Sequence, residues 1–103
     1  MFNLVKKFKA PGKLAARAFR ATDPLKAVDL YSDAIKYEKK KESPDKNFLS
    51  DIYLLRGEIY LSQGVAILSS SDFLNSIDLN PKNGISQNDL GIWFTLEQSV
   101  RPI

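Results

Sequence analysis

At 103 residues the chain has room for one domain whose core withdraws about two-thirds of the unfolded surface from water. It contains neither cysteine nor histidine, which excludes disulfides, thiol nucleophiles, Ser-His-Asp and Cys-His chemistry and ordinary zinc sites. A net charge of +3 hides an asymmetry, because residues 1 to 22 hold Lys6, Lys7, Lys9, Lys13, Arg17 and Arg20 without an acid, leaving nine basic against twelve acidic residues in the rest.

Residues 2 to 9 place Phe2, Val5 and Phe8 on one helical side and Lys6, Lys7 and Lys9 mostly on another. Pro11-Gly12 interrupts the run. The next stretch sets Leu14, Ala15, Ala18 and Phe19 against Lys13, Arg17 and Arg20. Basic, acid-free, alanine-rich and amphipathic, residues 1 to 22 resemble a mitochondrial targeting sequence, although serine is missing. The same residues also suit a basic helix lying on an anionic lipid or RNA surface.

Asp23-Pro24 opens the next helix, with aspartate as N-cap and proline at the first helical position. Lys39, Lys40 and Lys41, flanked by Glu38 and Glu42, close it, since cations complement the dipole at a helix C-terminus. Ser43-Pro44-Asp45 marks a loop, and Asp45 or Ser50 supplies the cap of the following helix.

Tyr53 to Asn83 organises the chain, and it reads as two short helices. In the first, Tyr53, Ile59 and Tyr60 flank Gly57, which costs about 1 kcal/mol inside a helix relative to alanine. Such a glycine implies the close approach of another backbone. Gln63-Gly64 then turns the chain. The second helix repeats apolar residues at Ile67, Phe73 and Ile77, with Ser69 and Ser76 as small residues between them, and stops before Pro81. The hydroxyls of the run Ser69 to Asp72 are expected to face a tightly packed neighbour or to bond back to the preceding turn.

With Tyr53, Gly57, Tyr60, Phe73 and Pro81 in this order, residues 50 to 83 resemble a tetratricopeptide repeat, a pair of antiparallel helices spanning 34 residues. Arg56 stands where that family prefers leucine, and Ser69 and Ser76 stand where it prefers alanine. Leu90, Gly91 and Phe94 fall 34 residues after Arg56, Gly57 and Tyr60, which looks like the first helix of a following repeat acting as a terminal cap. Upstream, Ala27, Tyr31 and Ala34 look like the second helix of a preceding repeat, with about eight extra residues around 42 to 49. In this frame residues 1 to 22 also read as the first helix of that preceding repeat with a solvated basic face. The resemblance implies an all-α fold of about five helices, stacked as antiparallel hairpins in a short solenoid, with residues 23 to 103 as the helical domain behind a basic segment 1 to 22.

The resemblance also places the first helices of each hairpin along a concave face. There Asp51, Leu54, Glu58 and Leu61 would be followed by Ile85, Asn88, Ile92 and Thr95, with Trp93 beside them as an interface anchor. Leu54 and Glu58 occupy positions where members that grip acidic chaperone tails carry lysine and asparagine, which argues against that ligand. An apolar helix or extended segment suits the groove better.

Asp78 to Asp89 has the outline of a calcium loop, but its fifth residue is Lys82 and its glycine comes one place late. Lysine among the ligands repels the cation. No phosphate-cradling glycine loop, dinucleotide fingerprint or paired-carboxylate constellation is present in the sequence, so neither enzymatic activity nor a cofactor is expected. The reading is a non-catalytic accessory subunit of a multiprotein complex. A mitochondrial membrane complex, such as a respiratory complex or ATP synthase, is the favoured setting, on the inner membrane or matrix side and without a transmembrane helix of its own. Its partners are other subunits, with anionic lipid possible through the basic segment and nucleic acid disfavoured. The alternatives are a soluble peptide-binding adaptor in the cytoplasm and a lipid- or RNA-associated protein using the basic segment.

Overall fold

The computed structural model describes residues 10–83, and these are all-helical: four helices and no strand among the described residues. They are α1 (Pro11–Arg20), α2 (Pro24–Lys39), α3 (Lys46–Ser62) and α4 (Ala66–Leu79). The chain divides into two compact units, residues 1–45 and 46–103, each containing one helical hairpin. No described helix is long and apolar enough to cross a membrane.

In the first unit α1 packs on α2. The expected division after residue 22 thus falls inside a hairpin, in the three-residue turn between its helices. Proline at the start of α1 needs no N–H partner there, and Ala10 O receives the N–H groups of Lys13 and Leu14. Leu14 and Ala18 are buried, whereas Phe19, expected on the same face, is 75% exposed. The reason is phase: at 100° per residue, Phe19 lies a quarter-turn past Ala18, beyond the buried stripe.

Asp23 caps α2 as expected, its Oδ1 accepting the Leu25 N–H at 3.0 Å. The buried residues of α2 are Ala27, Leu30, Tyr31, Ala34, Ile35 and Glu38. Glu38 is the buried charge in that set, and it organises the loop that follows. One carboxylate oxygen lies 2.9 Å from Lys41 Nζ, and the other accepts the Asp45 N–H at 2.8 Å. The lysine run accordingly does more than end a helix. Lys41 neutralises Glu38, and Lys40 lies 5.5 Å from the Tyr37 ring centre.

In the second unit α3 begins at Lys46. Ser50 is therefore interior to the helix rather than its cap, and the surplus before the repeat-like stretch is partly an extra turn of helix. The α3–α4 turn follows the expected glycine chemistry. Gly64 adopts φ +76°, the Gly64 N–H donates to Leu61 O, and the Val65 N–H donates to Tyr60 O. Those two bonds and the left-handed residue form a Schellman closure of α3. At the far end α4 stops at Leu79, and the Lys82 N–H donates to Asn80 Oδ1 across Pro81.

Candidate interaction surfaces

The α3–α4 contact is built at atomic contact distance around Gly57. A Cβ placed on Gly57 would stand 2.6 Å and 2.8 Å from two ring carbons of Phe73 and 3.1 Å from Asp72 Cβ. The glycine is thus required, as expected, by a close approach. What comes close is the edge of a fully buried phenylalanine rather than a neighbouring backbone. Two helical turns from Gly57 on α3 and one turn from Phe73 on α4, Ser50 and Ser76 bond reciprocally. Ser50 Oγ donates to Ser76 O at 2.7 Å, Ser76 Oγ donates to Ser50 O at 2.8 Å, and the two oxygens are 2.9 Å apart. Side chains this short bond the opposite backbone only when the helices nearly touch.

Arg56, standing in the leucine position, has an acid opposite it. Its Nε lies 2.8 Å from Asp72 Oδ2 and its terminal nitrogen 2.7 Å from Oδ1, a bidentate pair. The hydrogen bonds it donates to Asp72 hold the guanidinium pKa above its ordinary value, and partial burial opposes them. The Tyr53 and Tyr60 rings flank the same guanidinium, with centres 5.5 Å and 5.8 Å from its carbon. Sequence reasoning treated Asp72 as the end of a serine run and did not pair it. The available signal was an acid on one helix and, on its hairpin partner, an arginine at a position where the likeness expects leucine.

The buried residues of α4 are Ser69, Ser70, Asp72, Phe73 and Ser76. Ser70 Oγ donates back to Ile67 O, one of the two expected outcomes for the serine run. Ser69 is fully buried, and its hydroxyl has no hydrogen-bond partner among the described residues. The helix presents small polar groups inward and leaves large aliphatic ones outside. Ile67, expected among the inward residues, is 80% exposed, and Leu74 is 54% exposed. Phe73 alone supplies a large apolar side chain to the buried face, and Ile77 is half-buried.

Of the residues expected along a concave face, Asp51 is exposed and accepts a hydrogen bond from the Asn83 amide at 3.3 Å. Leu54 is 6% exposed, so it belongs to the buried set rather than to an open groove. Glu58 and Leu61 are half-buried. Ile85, Asn88, Ile92, Trp93 and Thr95 lie outside the described residues, as do Lys6, Lys7 and Lys9 of the basic segment. Lys13, Arg17 and Arg20 are exposed on α1.

No protein-family model, curated protein or solved structure matches this chain.

Proposed function

We propose that the chain is a non-catalytic accessory subunit of a multiprotein complex and acts by packing helical hairpins against other subunits. The observation that carries this reading is the outward apolar side of α4. Ile67 and Leu74, seven residues apart, lie within about 20° of one another around the helix, and half-buried Ile77 extends the stripe. A free-standing hairpin gains nothing from aliphatic side chains placed in water. A partner that covers them gains about 25 cal/mol for each Å² of apolar surface removed.

The finer architecture belongs to the same proposal. A tetratricopeptide-like solenoid of about five helices is supported by the spacing of Gly57 and Gly91 and by the close α3–α4 approach at the expected glycine and serines. The mitochondrial membrane setting rests on the basic, acid-free character of residues 1 to 22.

Photo-crosslinking from Ile67 and Leu74 in the native host, followed by purification in mild detergent, tests the reading. Both positions are expected to crosslink to another protein of one complex, while exposed Asp33 on α2 serves as the comparison site. A full-length chain that purifies as a stable monomer and gives no crosslink at position 67 or 74 would refute it.

A further inference from the structure

The α1–α2 turn opens into a cleft of about 370 Å³ lined by Arg17, Arg20, Thr22, Asp23, Lys26 and Leu30. Three cations meet there with one acid, and that acid is engaged, because Asp23 Oδ1 caps α2. Arg17, Arg20 and Lys26 have no ion-pair partner among the described residues. Like charges gathered around one cleft repel one another unless an anion joins them. The same end of the hairpin carries two large apolar side chains in water, Phe19 at 75% and Leu25 at 74% exposure, one on each side of the turn. Each is next in sequence to a residue that lines the cleft, Phe19 to Arg20 and Leu25 to Lys26, so an end-on approach to the turn meets the cleft and both apolar groups.

We propose that the α1–α2 turn is a membrane-docking tip for anionic phospholipid, in which Arg17, Arg20 and Lys26 receive headgroup phosphates and Phe19 and Leu25 enter the interfacial layer. Charge complementarity selects the anion. The exposed aliphatic and aromatic pair selects a bilayer over a soluble phosphate, which offers no apolar phase. RNA is the poorer fit, because a leucine cannot stack on a base. Lys26 lies outside the basic segment marked by sequence, and the turn brings it to Arg17 and Arg20. The inference goes beyond protein packing and does not depend on it, since vesicle binding is measured on the chain alone.

The test is flotation of the full chain with phosphatidylcholine vesicles, with and without phosphatidylserine. Binding is expected only with phosphatidylserine and should fall steeply as salt rises. The triple variant Arg17→Gln/Arg20→Gln/Lys26→Gln should weaken it roughly a hundredfold, at about fivefold per charge near the surface. The pair Phe19→Ser/Leu25→Ser should weaken it by about tenfold. All five residues are exposed, so helical content by circular dichroism should be unchanged, and single Lys26→Glu serves if a multiple variant misfolds. Vesicle binding that survives the triple variant but disappears in Lys6→Gln/Lys7→Gln/Lys9→Gln would overturn the assignment to this cleft. Binding of tripolyphosphate or single-stranded RNA without binding of phosphatidylserine vesicles would overturn the membrane assignment.

Discussion

The two hairpins reach a similar shape by different means. In the first, the buried residues are alanines and larger apolar side chains, with Glu38 as the buried charge, which serves the loop after α2. In the second, α3 buries Leu49, Ile52, Tyr53 and Leu54 beside Ser50 and Gly57, whereas α4 contributes one phenylalanine, an aspartate and several serines. Directional bonds cross between them from Ser50 to Ser76 and from Arg56 to Asp72. Apolar contact tolerates small shifts, because it scales with area and has no preferred angle. Hydrogen bonds and a ring edge against a glycine do not. The second hairpin should therefore be the more sensitive to changes of a single atom or charge.

The largest effect is expected at Phe73, the one large apolar side chain on the buried face of α4. Phe73→Ala should cost about 3–5 kcal/mol, enough to abolish cooperative unfolding of this unit in a thermal melt followed by circular dichroism. Leu14→Ala in the first unit should cost about 2–5 kcal/mol by the same mechanism. Equal sensitivity to Phe73→Ala and to an exposed-site change such as Leu74→Ala would break the comparison. Next comes Asp72→Ala, which strands Arg56. A fully buried pair would lose about 3–5 kcal/mol, and the partial exposure of Arg56 reduces the expected loss to about 2 kcal/mol. Because the pKa of Arg56 is raised, its contribution is fully present below the ordinary arginine value and is lost only as pH climbs through the raised one. The arginine side of the pair should thus give no pH dependence to melts between neutral and mildly alkaline conditions.

Gly57→Ala sharpens the contrast, because two effects oppose each other. Alanine gains about 1 kcal/mol of helix propensity, while its methyl would stand 2.6 Å from a fully buried ring that cannot retreat without opening the contact. Overpacking costs about 1–3 kcal/mol, so the net expectation is a loss of about 1 kcal/mol. A denaturant midpoint higher than that of the parent chain would mean that the α3–α4 contact is looser than described.

Much of this architecture was legible because it rests on local signals. Asp23-Pro24, Gln63-Gly64 and Pro81 each act through backbone chemistry that needs no knowledge of the partner helix, and each marks an observed boundary. The glycine at 57 and the small residues at 69 and 76 were legible as a close approach, since only that tolerates them together. What composition did not reveal was which atoms fill the approach. A phenylalanine ring edge and a pair of serine hydroxyls satisfy the same spacing rule as two backbones. Phe19 and Ile67 were assigned to buried faces by hydrophobicity, but both lie outside the stripe that their own helices bury. On α4 the failure has a definite cause. Ser76 and Asp72 occupy inward positions with partners on α3, and hydrophobic periodicity is blind to that. Lys26 joined Arg17 and Arg20 only through the turn, which a segment-by-segment count of charge does not see.

The smallest effect has the opposite sign and tests the hydrogen-bonded character of the second hairpin most directly. Ser50 and Ser76 exchange bonds, Ser70 bonds back along its own helix, and Ser69, on the same buried face, has a hydroxyl with no partner among the described residues. A buried hydroxyl that has given up water without replacement costs about 1–3 kcal/mol, and alanine removes it while keeping the close fit. Ser69→Ala should accordingly raise the stability of the chain by about 1 kcal/mol, whereas Ser76→Ala, nearly the same change seven residues on, should lower it by about 1 kcal/mol. The two variants differ little in volume, helix propensity or burial, so their difference isolates the satisfied bond. If both shift the midpoint in the same direction, the serines act only as small residues, and the second hairpin is held together no differently from the first.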